Sequence, residues 1–183
     1  MIAGLFGFLI YMAFAIAEKI YSVIAVGQYP NLASTAALRD AVVREIKTHY
    51  PNMKTACDIG AGYGGLARRI AKECDMHVLA LENMLFSSFA SKALDALTRS
   101  KSKTIKSDAF EYLKKSERFD IAVAYLGPGV NAKLADLKGK ARVLIALVAP
   151  VPGLKPARTI DLPSGWTRYS GARYPHRLFV YEF

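Results

Sequence analysis

From Met53 onward the chain alternates short apolar runs of strand character with segments of helical spacing, and this alternation limits the fold more than any other feature. Strand one is expected over Lys54–Ile59, followed by a helix from about Gly64 to Cys74. Strand two, His77–Leu81, ends at Glu82, and a long helix runs from about Met84 to Thr98. A short third strand, Ser102–Lys106, leads to Asp108 and a short helix over Ala109–Lys115. Strand four, Phe119–Tyr125, stops at Gly127-Pro128-Gly129. A helix over Val130–Leu137 and a fifth strand, Ala141–Val148, follow. Strands that alternate with helices pair in parallel, so the expected architecture is α/β, an open doubly wound sheet. Past a loop marked by Pro150, Pro152, Gly153 and Pro156, two strands follow with no helix between them. They are Trp166–Ser170 and Arg177–Phe183, joined through Gly171–Pro175, and they read as an antiparallel hairpin. A helix over Ala33–Thr48, capped by Ser34 or Thr35, precedes strand one.

The segment ahead of this unit is of another kind. Ile2 to Ala17 carries no charge; Glu18 and Lys19 interrupt it, and IYSVIAVGQY resumes apolar. A bilayer core needs roughly 20 apolar residues, which residues 1–28 supply when Glu18 and Lys19 sit at the interface. The expected organisation is a membrane-anchoring hydrophobic helix over 1–28 and one folded domain over 29–183. A secretory signal fits less well. Ala15 and Ala17 give an A-x-A pattern, but no Lys or Arg precedes the apolar stretch. A buried or partner-binding helix is the third alternative. The formal net charge is +10, and every Lys and Arg lies after residue 18. The positive-inside bias then puts the folded part on the cytoplasmic side of a single-pass anchor. Such a surplus suits an anionic partner: a membrane face, a nucleic acid or an acidic protein. Arg68, Arg69 and Lys72, then Arg99, Lys101, Lys103 and Lys106, then Lys138, Lys140 and Arg142 form basic clusters suited to an anionic membrane surface. They lack the interleaved aromatics of an RNA surface, so nucleic acid is not favoured. Cys57 and Cys74 have no CxxC spacing, which favours a reducing compartment. His49, His77 and His176 are widely separated, show no metal-ligand spacing and are expected on loops or the surface.

The sharpest local signal is Cys57-Asp58-Ile59-Gly60-Ala61-Gly62-Tyr63-Gly64-Gly65, where strand one becomes helix. Gly60 and Gly62 permit a tight turn and a ligand's close approach. The helix that follows aims free N–H groups at the same space. Glu82 lies about 20 residues on, a spacing that suits a carboxylate on a ribose diol. Gly60, Gly62 and Gly65 satisfy GxGxxG, which alone permits NAD. Asp58 in front makes the turn DxGxG as well, and an acid at that depth repels pyrophosphate and favours a ligand carrying an ammonium. S-adenosylmethionine is such a ligand.

These residues resemble the class I, seven-β-strand S-adenosylmethionine-dependent methyltransferases over nearly all of 33–183, with their Rossmann-like sheet. Within that superfamily the chain is similar to the small membrane-anchored protein-lysine methyltransferases of mitochondria and their archaeal and bacterial relatives. The single apolar N-terminal segment, the Tyr125-Leu126-Gly127-Pro128 turn after strand four, the stretch Gly129–Val143 and Ala149–Pro156 carry that likeness. The Tyr29–Thr35 linker is only loosely similar, and Glu82-Asn83-Met84 lacks the proline often found after strand two. The resemblance implies that Asp58, Gly60 and Gly62 surround the methionine end of S-adenosylmethionine and that Glu82 holds the ribose, with Asn83 beside the adenine. It puts Asp108 and Ala109 on the adenine edge and Tyr125 near the transferred methyl. Asp108 also suits a helix N-cap, and Tyr125 a core aromatic at a strand end.

The implied activity is methyl transfer to an amine, foremost a protein lysine, with a membrane protein among the candidate substrates. The alternatives are a lipid or small-molecule methyltransferase and a non-catalytic cofactor-binding module. No Asp/Asn-Pro-Pro-aromatic run follows strand four, which counts against methylation of an adenine amino group in nucleic acid. The cofactor brings the electrophile, so no catalytic dyad is expected.

Overall fold

A computed structural model describes residues 34–169 and 172–183, together with residues 12, 13, 16, 17 and 20. The expected anchor over 1–28 lies otherwise outside the described residues. Among the described residues no helix is long and apolar enough to cross a membrane.

The first helix, α1, spans Ala36–His49. The Thr35 hydroxyl accepts the Leu38 N–H at 3.3 Å and so caps it, one of the two residues expected there. Then follow β1 (Thr55–Ile59), α2 (Gly65–Glu73), β2 (His77–Glu82), α3 (Leu85–Leu97), β3 (Ser102–Lys106) and α4 (Ala109–Lys115). The second half holds β4 (Phe119–Ala124), α5 (Pro128–Asn131), a 3-10 segment (Ala132–Leu137), β5 (Ala141–Leu147), β6 (Arg158–Tyr169) and β7 (Ala172–Glu182). The helix expected over Val130–Leu137 is thus a single α-turn started by Pro128 and continued as 3-10 helix.

One seven-stranded sheet runs β3-β2-β1-β4-β5-β7-β6, parallel except for β7, which pairs antiparallel with both β5 and β6. β2 follows β1 with the register Thr55↔His77 to Ile59↔Leu81, so both strands end at one level. The order reverses between β1 and β4, which opens a crevice at the carboxyl edge beside β1.

Each face of the sheet has its own apolar layer. Leu38, Val42 and Ile46 of α1 and Leu66 and Ile70 of α2 cover one face, over Val78, Ile121, Val123 and Ile145. Ala109 and Leu113 of α4 with Leu134 and Leu137 cover the other, over Ile59, Leu81, Ala124 and Leu144. The terminal strands are bound to α1. The Arg158 guanidinium donates to Glu45 Oε1 at 2.9 and 3.1 Å and to the Tyr50 hydroxyl, and Tyr50 donates to Glu182 at 2.6 Å.

The hairpin is longer than the residues suggest. β6 begins at Arg158 rather than Trp166, and β7 at Ala172 rather than Arg177. Pro163 and Gly165 argue against a strand, but the pairing slips between Asp161 and Trp166 and a bulge absorbs them. β6 is also the sheet edge, where a proline costs no ladder bond. Pro175 lies beyond the part of β7 that pairs with β5, Leu178–Glu182.

Candidate functional site

The carboxyl ends of β1, β2 and β4 gather the residues singled out in the sequence. β1 buries Asp58, which is 3% exposed, and its carboxylate accepts the Ala67 N–H in the first turn of α2. The other oxygen, Oδ2, is buried with no hydrogen-bond partner. Burial pushes the Asp58 carboxyl up to about 7; the Ala67 N–H opposes the rise and the charge of Glu82 adds to it. An acid with one unsatisfied, inward oxygen is what a ligand ammonium would complete.

The turn after β1 is held from β2. Gly60 and Ala61 donate to the Leu81 carbonyl at 2.9 and 3.0 Å. Glu82, equally buried, accepts the Gly62 N–H on Oε2 and the Met84 N–H on Oε1, both at 2.7 Å. The spacing of about 20 residues therefore does bring Glu82 to the turn, where its carboxylate braces two loops. Gly60 has φ +72, a left-handed conformation that a side chain adopts at a cost. A Cβ there would also stand 2.6 Å from Leu126, the residue of the β4 turn that lies over Gly60.

Two arginines stand beside this turn. A Cβ on Gly64, φ +70, would fall far inside contact distance of the Ser91 hydroxyl and 2.8 Å from Arg68. Arg68 donates to the Tyr63 carbonyl at 2.6 Å and to Asp95 of α3 at 3.2 Å, tying the turn to that helix. It is thus drawn inward rather than displayed in a basic surface cluster. Arg39 of α1 brings Nη1 to 2.9 Å from where a Cβ on Gly65 would stand, a cation at the start of α2 that no motif marked.

Asp108 is exposed and caps α4, its Oδ1 accepting the Phe110 and Glu111 N–H groups at 2.9 and 3.1 Å. Ala109 is buried behind it, and Asn83 is exposed at the tip of β2. The Ser107 N–H donates to the Glu82 carbonyl at 3.0 Å, which joins the β2 and β3 tips.

Tyr125 follows β4 and is partly buried. Its hydroxyl lies 2.8 Å from the Thr167 hydroxyl of β6, and that hydroxyl lies 3.1 Å from Nε2 of His176. His176 was expected on a loop or the surface; it is 4% exposed, seated against Gly165 where the bulge makes room, and burial lowers its pKa. A single His flanked by Pro175 and Arg177 gives no signal of a buried relay. His49 and His77 are exposed as expected.

No family model matches the chain, and no curated protein matches it. Similar solved structures include an RNA methyltransferase from Salinibacter ruber in complex with S-adenosyl-L-homocysteine. It has 15% sequence identity, a TM-score of 0.68, and coverage of 82% of this chain and 93% of that one. The Thermus thermophilus 16S rRNA N2 G1207 methyltransferase in complex with AdoMet and guanosine has 19% identity, a TM-score of 0.59, and coverage of 85% and 46%. A precorrin 8w decarboxylase from Methanobacterium thermoautotrophicum has 16% identity, a TM-score of 0.60, and coverage of 84% and 93%. At these identities the likeness is one of fold.

Proposed function

The chain has the fold of class I S-adenosylmethionine-dependent methyltransferases, and from that premise we propose that it transfers a methyl group from S-adenosylmethionine to an amine, foremost a protein lysine at a membrane. The observation that carries the cofactor is Asp58, a buried acid with one oxygen unsatisfied beneath a glycine turn braced by a second buried acid. A neutral or pyrophosphate-bearing ligand would leave that oxygen orphaned or repelled.

The cofactor, when bound, supplies a methyl group on a sulfonium. The protein supplies position. Asp58 takes the ammonium and Arg39 the carboxylate of the methionine end, with Gly60 and Gly62 leaving room for it. Glu82 takes the ribose hydroxyls, with Asn83 beside the adenine. Asp108 and Ala109 meet the adenine edge, so that Asp108 combines capping with recognition. Tyr125 orients the acceptor amine and Leu126 keeps water from the turn. A lysine must lose its proton to attack, and desolvation lowers its pKa enough to permit this without a dedicated base.

The lysine reading is supported by the Tyr125-Leu126-Gly127-Pro128 turn and the apolar segment over 1–28, read as a single-pass anchor with the domain over 29–183 on the cytoplasmic side. RNA is a second reading, supported by the net charge of +10 and the nature of the Salinibacter ruber protein. Radiolabelled methyl transfer into membrane extracts, split into protein, lipid and RNA fractions, decides among them. Label in protein, recovered as methyllysine, is expected. Label only in lipid or RNA overturns the acceptor. No label in any fraction, with the cofactor bound, would leave a non-catalytic binding module.

A further inference from the structure

Helix α3 is packed inside out. The side it turns to the sheet is polar: Ser87, Ser88, Ser91 and Asp95 are its buried residues. They are satisfied there. The Ser91 hydroxyl meets that of Thr104 at 2.7 Å, and Asp95 accepts from Ser102 and Thr104 of β3 at 2.7 and 2.6 Å. The outward side carries Leu85, Phe89, Ala93 and Leu97, four residues apart and so in one stripe along the helix. Leu85 is 69% exposed, Phe89 68% and Leu97 80%. A helix facing water shows the reverse pattern.

Charge says what covers the stripe. Lys92 on α3, Arg99 just after it, and Lys103 and Lys106 on the neighbouring edge strand β3 are all exposed, while the one acid of α3, Asp95, is buried and paired. Lys92, Arg99 and Lys103 line an open groove of about 570 Å³ at the end of the helix. An apolar stripe rimmed by cations matches an anionic bilayer surface, with acyl chains under the stripe and headgroup phosphates at the rim. An apolar protein segment would leave the cations without counter-charge. The topology agrees. α1 and α2 cover the face of the sheet on which α3 lies, and the chain ahead of Ser34, with its apolar run over residues 1–28, enters through α1. Met12, Ile16 and Ile20 of that run are exposed as well.

We propose that α3 is a membrane-docking helix that lays Leu85, Phe89 and Leu97 into an anionic bilayer and sets its basic rim on the headgroup phosphates. This goes beyond the methyl-transfer reading, and its test needs no methyl transfer. The full chain with Trp166→Phe and Phe89→Trp carries one tryptophan, on the stripe; Leu97→Trp in the same background is the second reporter. Both are placed in vesicles of zwitterionic lipid alone and in vesicles with about one-third phosphatidylserine, each with and without brominated acyl chains. Blue-shifted emission quenched at least twofold by bromine in the anionic vesicles, and not in the neutral ones, is expected. Adding Lys92→Glu and Arg99→Glu should abolish the quenching. Water-like, unquenched emission in both vesicles overturns the proposal. So does equal quenching in both, and so does a blue shift without quenching, which would mean that protein, the chain's own apolar segment or a second copy, covers the helix.

Discussion

Replacing Asp58 by Asn should separate the stability of the turn from its affinity for ligand. The Asp58 carboxyl is raised from 3.8 to about 7 by burial, opposed by the Ala67 N–H and reinforced by Glu82. A folded pKa above the unfolded one favours folding only while the acid is protonated in both states. That contribution is complete below about 3.8 and is lost as pH rises through about 7. A shift of this size is worth about 4 kcal/mol at pH 8 and about 2 kcal/mol near pH 5.5, where the folded state has only to take up a proton. Asn carries no such penalty. The melting temperature of Asp58→Asn should therefore gain on the parent between those two pH values by about 2 kcal/mol, roughly 4–8 °C for a chain of this length. Binding should move the other way. If the ligand ammonium requires the carboxylate, the affinity of the parent for S-adenosylhomocysteine should rise about 15-fold from about pH 5.5 to 7, as the ionised fraction grows. The Asn variant should bind weakly and with no such slope. Scanning calorimetry and titration calorimetry on the full chain read the two effects. A melting gap that does not change with pH, or equal affinity in both proteins, would refute the assignment of Asp58.

Three further substitutions test the surroundings. Glu82→Gln turns an amide N–H toward either the Gly62 or the Met84 N–H, so urea unfolding should show a loss of about 1–3 kcal/mol; undiminished stability would mean that the brace is not needed. Gly64→Ala forces a side chain into the left-handed region against Ser91, itself bonded to Thr104, and should cost about 3 kcal/mol; a loss below about 1 kcal/mol would contradict the packing. Thr167→Val strands the hydroxyl of Tyr125 and Nε2 of His176, a cost of about 1–3 kcal/mol in stability, with cofactor affinity within about twofold of the parent; a fall in affinity as large as that of Asp58→Asn would place Thr167 in the binding site instead.

The sequence is most legible where local chemistry and tertiary packing agree. β3 and α4 begin and end where expected because Asp108 caps the helix and punctuates the strand ahead of it. The positions of Asp58 and Glu82 at neighbouring strand ends were legible from spacing because two parallel strands in register must bring their carboxyl ends together. The contacts of Glu82 were not, since they depend on how the Gly62 and Met84 loops fold back. The first half of β6 is hidden in the sequence because Pro163 and Gly165 break a strand in general and not at an edge bulge. The inverted α3 was out of reach: Leu85, Phe89 and Leu97 look like core until the partners of Asp95 are known. Arg39 sits in no motif and acquires its place only when α1 packs on α2.

The position of β7 also bears on how the protein is made. β6 touches the sheet only through a strand that lies after it in the chain. At about 5–20 residues per second, roughly a second passes on the ribosome between the appearance of Tyr169 and that of Glu182. For that interval the twelve residues of β6 have no strand to pair with. Pro163 and Gly165, which make β6 hard to recognise, also make it a poor template for another nascent chain.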